Sequence, residues 1–206
     1  TGNIVPKVLT ATASASNKTY DGGTTASTTL TFSGLVGSET LGQTVGSTFD
    51  NKNVGSNKTV TVNSITLADG TGLAANYSIS AGQTITAHIS PKSLTVSGNT
   101  ASNKTYDSNS SATVTVTLSG FVGSETLTYT NSSSFNNKNV GTGKTVTVDS
   151  ITLADGNNGG LASNYSVTPG QTTTANITAK SLTVSGIIAS SKTYDGSASA
   201  TLDTSS

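Results

Sequence analysis

The chain has 206 residues, of which 32% are hydrophobic and 10% charged, and its ten basic and ten acidic side chains leave no net charge at pH 7. All the basic residues are lysines without a basic run, which argues against nucleic-acid binding, because that binding depends on neutralising phosphates. The absence of cysteine excludes disulfides and thiolate metal sites. No stretch reaches the roughly 18 apolar residues of a membrane span, so we expect no membrane insertion.

An internal repeat organises the chain. The segment SNKTYDG at 16–22 recurs as SNKTYDS at 102–108 and as SSKTYDG at 190–196, which places the three tyrosines 86 and then 88 residues apart (106 − 20 and 194 − 106). FDNKNVG at 49–55 likewise recurs as FNNKNVG at 135–141. The spacing predicts one repeat at 1–90, a second at 91–179 and the start of a third at 180–206, with short joints near Pro6, Pro91 and Ala179.

Within each repeat the apolar residues alternate with Thr, Ser and other small residues, as at Ile85 to Ile89 and at Val114 to Leu118. This period of two is typical of strands with one buried face. A repeat of this length matches a small sandwich domain better than one coil of a solenoid. We therefore predict an all-β fold of two tandem immunoglobulin-like antiparallel β-sandwiches in an elongated arrangement, followed by the start of a third. A β-solenoid is the alternative.

One strand breaks its own alternation. In TVTVNSITL the apolar positions change parity between Val62 and Ile65. Since a shift of one residue turns every later side chain to the other face of a sheet, we expect a β-bulge near Asn63 and Ser64.

The recurrent heptapeptide predicts a structural anchor. Asp-Gly favours a tight turn, and a tyrosine just before it can bury its ring and bond its hydroxyl to nearby backbone. The predicted anchors and turn residues are Tyr20, Asp21, Tyr106, Asp107, Tyr194 and Asp195. Tyr77 and Tyr165, each in an ANYS or SNYS segment, alternate with apolar neighbours and are predicted core residues. Ser108 replaces the glycine of the turn in the second copy, which puts a turn with positive φ in doubt there.

A covalent alternative involves the lysine of the same segment. Lys18 could join Asn76, and Lys104 could join Asn164, in an isopeptide bond, if a nearby acid polarised the amide. Each full repeat contains one glutamate, Glu39 or Glu125. Both stand in VGSE, which is typical of an exposed hairpin tip and therefore argues against this chemistry.

The residues needed for catalysis are scarce. His88 is the single histidine, and Asn176 stands at its place in the second repeat, so a triad or a paired metal site is not indicated. We expect no catalytic residues, no cofactor and no metal site, with weak calcium binding at Asp69 or Asp155 left open. Sugar-binding modules usually present aromatic platforms, and Tyr129 is the candidate contact here.

Several motifs together carry a family resemblance: NKTYDG, FDNKNVG, LAANY and ITAKSLTVSG. In these the chain resembles the YDG and related mostly bacterial immunoglobulin-like repeats of large secreted adhesins, including those similar to filamentous haemagglutinin. The resemblance implies an extracellular or cell-surface location and a repetitive β-sandwich role in a long adhesin. Repetition, zero net charge and few reactive residues favour a non-catalytic stalk that projects a binding region. Its expected partners are neighbouring repeats of the same chain, with host glycan or surface protein bound by other parts of the adhesin, and the fragment is expected to be a monomer. The alternative is an adhesive module for carbohydrate or protein.

Overall fold

The computed structural model describes residues 2–203, and its regular structure is almost entirely β. Among these residues, helix occurs only as two short 3₁₀ turns, Ala74–Asn76 and Ala162–Asn164. The predicted all-β, sandwich-type fold is confirmed. Threonine and valine, which dominate the strands, suit a pleated and half-buried surface better than a helix.

The first repeat contains eight strands: β1 (Lys7–Val8), β2 (Thr10–Ala15), β3 (Lys18–Thr19), β4 (Thr28–Ser33), β5 (Leu41–Phe49), β6 (Gly55–Asp69), β7 (Tyr77–Ser78) and β8 (Thr84–Ser90). The second contains seven: β9 (Lys92–Ala101), β10 (Lys104–Thr105), β11 (Val114–Ser119), β12 (Thr128–Phe135), β13 (Gly141–Ala154), β14 (Tyr165–Val167) and β15 (Thr172–Thr178). The third segment forms a small antiparallel pair, β16 (Ile188–Ala189) with β17 (Leu202–Asp203).

Each repeat has one four-stranded sheet, in the order β3-β8-β6-β5 or β10-β15-β13-β12. The opposing layer is formed by the pairs β2-β4 and β1-β7 in the first repeat and by β11-β9-β14 in the second. The long pairs are antiparallel, as predicted. The short edge pairs β1-β7, β3-β8, β9-β14 and β10-β15 are parallel, which the sequence did not indicate because strands of two or three residues carry no readable alternation.

The apolar core lies between the two layers. In the second repeat, Val114 and Val116 of β11 pack with Val146 and Val148 of β13 and with Ile177 of β15. The first repeat has a similar cluster, but that cluster also includes residues of the second repeat. The two repeats therefore do not have fully separate interiors.

The predicted bulge is confirmed. Val62 pairs with Ser47 and Ser64 pairs with Gly46, so Asn63 is the extra residue on β6. The second repeat repeats the irregularity, because Val148 pairs with Ser133 while Ser150 pairs with Ser132. Because of the extra residue, the apolar residues after the bulge face the same side of the sheet as those before it, although their positions in the sequence change parity.

The joint between the repeats is short, since β8 ends at Ser90 and β9 begins at Lys92, which leaves Pro91 alone between them. A single proline gives little conformational freedom, because its ring fixes φ. The joint thus brings the end of the first repeat directly against the beginning of the second.

We predict that replacing Val146 with Ala destabilises the second repeat. The side chain is 0% exposed, so the change removes buried methyl groups and leaves a cavity, and the free energy of unfolding should fall by about 2 kcal/mol. Urea unfolding followed by circular dichroism measures the change. Val5→Ala is the control, because Val5 is 76% exposed; an equal effect at both positions contradicts the assigned core.

Candidate functional site: the junction between the repeats

A buried carboxylate lies where the two repeats meet. Glu125 of the second repeat is 7% exposed. Its Oε1 accepts hydrogen bonds from the Tyr20 hydroxyl at 2.7 Å and from Lys52 Nζ at 3.0 Å, both of the first repeat. Its Oε2 accepts a hydrogen bond from the Tyr165 hydroxyl at 2.7 Å. The carboxylate is therefore shared by donors from both repeats.

Local backbone structure positions these four side chains. Tyr20 directly follows β3, and its N–H donates to Ser90 O at 2.9 Å, which holds it at the joint. Lys52 lies in the turn between β5 and β6. Tyr165 begins β14, and its hydroxyl accepts the N–H of Val122 at 3.0 Å. Val122 and Glu125 lie in the turn between β11 and β12, where the N–H of Glu125 donates to Val122 O at 3.0 Å.

Aromatic rings surround the carboxylate. The ring centroids of Tyr20 and Tyr165 are 5.5 Å apart at an interplanar angle of 77°, and those of Phe121 and Tyr165 are 5.7 Å apart at 68°. Such edge-to-face pairs contribute about 0.5–1.5 kcal/mol each beyond the burial of their area. Leu94 and Tyr165 of the second repeat belong to the same apolar cluster as Tyr20. The core of the first repeat thus continues across the joint.

A buried amide adds a second polar contact between the repeats. Asn164 is 0% exposed. Its Oδ1 accepts the N–H of Val54 at 2.9 Å, and its Nδ2 donates to Asn53 Oδ1 at 3.1 Å. Both partners belong to the first repeat. The amide satisfies a backbone donor that would otherwise be buried without a partner, so it fixes the register of the two faces.

The junction shifts the pKa values of its members. Burial acts to raise the pKa of Glu125, but the hydrogen bonds from Tyr165, Tyr20 and Lys52 outweigh it, so this pKa is lowered. Burial and the bond to Glu125 raise the pKa of Tyr165 to about 12 and also raise the pKa of Tyr20. The hydrogen bond to Glu125 raises the pKa of Lys52. Near neutral pH the carboxylate and the ammonium are charged and both hydroxyls remain donors.

Comparison with known families agrees with the motifs. A family model described as YDG domain matches residues 5–87 and 90–175. The chain belongs to the YDG domain family. No curated protein and no solved structure gave a significant match. Among the described residues of this YDG protein, no helix has the length and hydropathy needed to cross a membrane.

The YDG signature itself forms part of the junction. Asp21 Oδ1 accepts the N–H of Gly23 at 2.9 Å and pairs with Lys18 Nζ at 2.7 Å, which stabilises the turn and lowers the pKa of Asp21. Gly22 has a φ of +80°, and a Cβ added there would lie 2.7 Å from Val122 Cγ1. Glycine adopts this positive φ without strain, and its lack of a side chain leaves room for the close approach of the second repeat.

The second copy of the signature keeps the same turn. Ser108 has a φ of 68°, so the replacement of glycine by serine does not abolish the positive φ. Asp107 Oδ1 accepts the N–H of Asn109 at 3.2 Å, and Lys104 Nζ lies 2.8 Å from the same Asp107 oxygen. The third copy has the corresponding ion pair between Lys192 and Asp195 at 2.9 Å. All three aspartates therefore stabilise the turns in which they lie.

The tyrosines differ from one copy to the next. Tyr20 is buried, Tyr106 is half-buried against the second core cluster, and Tyr194 is 92% exposed. The predicted partner of Tyr20 was wrong, because its hydroxyl bonds a glutamate 105 residues away rather than nearby backbone. Tyr77 is buried like Tyr165, and its hydroxyl donates to Glu39.

The prediction of exposed glutamates was also wrong for Glu125, which is covered by the first repeat, while Glu39 is half-buried. The VGSE segment does form a turn, but the burial of a turn depends on what docks against it. A signal was present in the sequence, because glutamate occurs only twice in the chain and at the same place in both repeats.

The residues of the covalent alternative are not brought together. Lys18 Nζ donates to Asp21 Oδ1, to Gly23 O and to Thr25 O, and Lys104 Nζ donates to Asn109 and to Ser111 O. The side chain of Asn76 is exposed, and that of Asn164 bonds the first repeat as described above. The lysines thus serve the turns that follow β3 and β10.

The remaining candidates are engaged in local structure. The Tyr129 hydroxyl donates to Val116 O and accepts the Val116 N–H at 3.0 Å, so this ring is held against the second core. His88 is exposed on β8, and its Nδ1 accepts the N–H of Asn57 at 3.1 Å. Asp69 and Asp155 each accept a backbone N–H at 2.7 Å, from Ala74 and Ala162. Within residues 2–203, no group of three His, Cys, Asp or Glu side chains could hold a metal ion.

We predict unequal effects of removing the two equivalent glutamates. Glu125→Ala leaves Lys52 and two buried hydroxyls without their acceptor and should lower the free energy of unfolding by about 3 kcal/mol. Glu39→Ala removes the acceptor of Tyr77 only and should cost about 1 kcal/mol. Guanidinium unfolding of both variants measures the difference. Equal losses contradict a contribution of Glu125 across the joint.

We predict that the junction is most stable between about pH 5 and pH 10. The pKa of Glu125 is lowered from 4.5 in the folded chain, so its contribution is present above pH 4.5 and is lost as the pH falls through the folded value. The pKa of Tyr165 is raised from 10.0 to about 12, so its contribution is lost as the pH rises from about 10 to 12. Unfolding free energies measured against pH for the wild type and Glu125→Gln test this. The acid-side loss should be smaller in the variant; parallel profiles contradict the assignment.

Proposed function

We propose that the chain is a non-catalytic spacer of a bacterial cell-surface or secreted adhesin, in which consecutive YDG repeats hold a binding region away from the cell. The observation that carries the proposal is the Glu125 carboxylate, buried between repeats and bonded by donors from both. Such a junction resists bending, because any change of angle separates hydrogen-bonded groups in a site with little access for water.

The placement of the junction supports an end-to-end arrangement. Strand β6 has 15 residues, which span about 45–50 Å. Val54, immediately before β6, contacts the second repeat, whereas Asp69 ends the strand at the opposite end. Each further repeat would thus add on the order of 50 Å to the length of the stalk.

The adhesin context rests on membership of the YDG family and on the motifs shared with repeats of secreted adhesins. The composition suits such a role, since Ser and Thr supply about a third of the residues and the net charge is zero. The adhesive alternative depended on Tyr129 as an exposed platform. Because that hydroxyl is bonded to Val116, Tyr129 does not favour it.

Distance measurement between the repeats tests the proposal. The chain has no cysteine, so nitroxide labels at Thr66→Cys and Thr152→Cys, two exposed and equivalent positions on β6 and β13, report only the angle and separation of the repeats. We predict a single narrow distance distribution by pulsed electron paramagnetic resonance. Glu125→Ala should broaden it, and the matched Glu39→Ala should not.

A broad distribution in the unmodified background contradicts a rigid spacer. The same chain applied to a glycan array should not be retained by any sugar. Specific retention that is lost on changing one exposed side chain would favour the adhesive module instead.

A further inference from the structure

Each side of the junction is encoded in both repeats. The YDG face is the surface that the first repeat presents to the second, and four of its five members recur unchanged in the second repeat. In the first repeat it consists of Tyr20, Gly22, Lys52, Asn53 and Val54. In the second repeat the same positions are Tyr106, Ser108, Lys138, Asn139 and Val140.

The surface that receives the YDG face is termed the acceptor face. In the second repeat it consists of Phe121, Val122, Glu125, Asn164 and Tyr165. In the first repeat the same positions are Leu35, Val36, Glu39, Asn76 and Tyr77, and the replacement of Phe121 by Leu35 is the single change of residue type among the five. The first repeat therefore carries an acceptor face at the end opposite to the joint.

The acceptor face of the first repeat is already assembled. The Tyr77 hydroxyl donates to Glu39 and accepts the N–H of Val36 at 3.1 Å. The same arrangement links Tyr165, Glu125 and Val122 in the occupied face. Docking would therefore require little rearrangement of the receiving side.

The same face is open where its counterpart is covered. Val36 is 54% exposed, whereas its counterpart Val122 is half-buried. Asn76 is exposed, while Asn164 is 0% exposed. Apolar side chains around a carboxylate and an amide, arranged as in an occupied interface, indicate a binding surface rather than ordinary exposed residues.

The YDG face of the second repeat has the complementary features. Lys138 and Asn139 are exposed, and Val140 is 53% exposed. The positive charge of Lys138 matches the negative charge of Glu39, as Lys52 matches Glu125 in the joint. Residues 180–202 of the third segment are all exposed, so this described segment is not packed over the face.

We propose that the acceptor face of the first repeat binds the YDG face of the second repeat in a second copy of this chain, head to tail. The inference rests on the junction used for the proposed function and extends it to contacts between molecules. Because the two faces differ, the contact is heterologous and does not close, so it yields linear chains instead of closed dimers.

The association is expected to be weak, in line with the monomer expected from the sequence at low concentration. Within one chain the short joint supplies an effective concentration of the order of millimolar, and separate molecules lack that advantage. Ser108 adds a side chain where Gly22 has none, at a position where a Cβ would lie 2.7 Å from the facing valine. Ser108→Gly should therefore strengthen the contact.

Disulfide trapping provides the test, in a chain without natural cysteine. In the joint, a Cβ at Gly22 would lie 3.9 Å from Val122 Cβ, within the range of about 3.5–4.5 Å for disulfides. The equivalent pair between molecules is Ser108 of one copy and Val36 of the next. Under mild oxidation of the full chain at high concentration, we expect Ser108→Cys/Val36→Cys to form a ladder of dimers, trimers and larger species.

Single variants set the baseline for the ladder. Ser108→Cys alone or Val36→Cys alone can form at most symmetric dimers, and an equimolar mixture of the two should give a mixed dimer in excess of these. If the double variant gives only the dimers of the single variants, the proposal is overturned. Addition of Glu39→Ala to the double variant should reduce the ladder several-fold, because that residue does not take part in the joint within a chain.

A control separates this inference from the proposed function. Gly22→Cys/Val122→Cys should close a disulfide inside one molecule, whatever the concentration. If it closes and no ladder forms in the other variant, the junction stands and the association between copies is wrong. Cysteine at position 22 has a strained φ, so a second measurement that needs no cysteine is included. In sedimentation of the wild-type chain, the average mass should rise with concentration. The rise should be lost in Glu39→Ala. A constant mass also overturns the proposal.

Discussion

The arrangement of the two repeats depends on a carboxylate that is bonded from both sides of a joint. Burial of Glu125 removes water from a charge, which is costly unless donors replace the water. Three donors do so, and two of them, Tyr20 and Lys52, belong to the other repeat. On separation the carboxylate would be hydrated again, so the polar contacts add less stability than their number suggests. Their larger effect is to select one orientation, while the rings and Leu94 supply the apolar attraction.

The YDG signature can be understood residue by residue from this junction. The tyrosine reaches the carboxylate of the following repeat, the aspartate holds the turn through Gly23 and Lys18, and the glycine leaves room for Val122. Each of these three roles belongs to a different residue of the signature in its first copy. In the first copy the signature therefore serves both its own turn and the contact with the next repeat.

The sequence was sufficient for the long antiparallel strands and insufficient for the short edge strands and for the contact between repeats. Alternation identified the buried strands, and the change of parity after Val62 located the bulge, because both follow from the period of the backbone itself. Glu125 was assigned to an exposed tip, since its neighbours form a turn and its partners lie in the other repeat. The repeat gave a partial signal, because Tyr, Lys and Glu recur together at fixed offsets in a chain poor in charge. The recurrence does not indicate that the tyrosine of one repeat meets the glutamate of the next, which the three-dimensional structure shows.

A shared interior has consequences for how the repeats gain stability. Small domains bury a limited fraction of their surface, and this chain has few large apolar residues with which to do so. The first repeat completes its core with Leu94 and Tyr165 of its neighbour, whereas Tyr106, at the place of Tyr20, remains half-buried. Stability in such a chain is the sum of each repeat and its interface with the next, as in other linear arrays. A repeat whose YDG face is covered is then more stable than one whose face is open. The free energy of unfolding of a repeat therefore depends on its position in the chain.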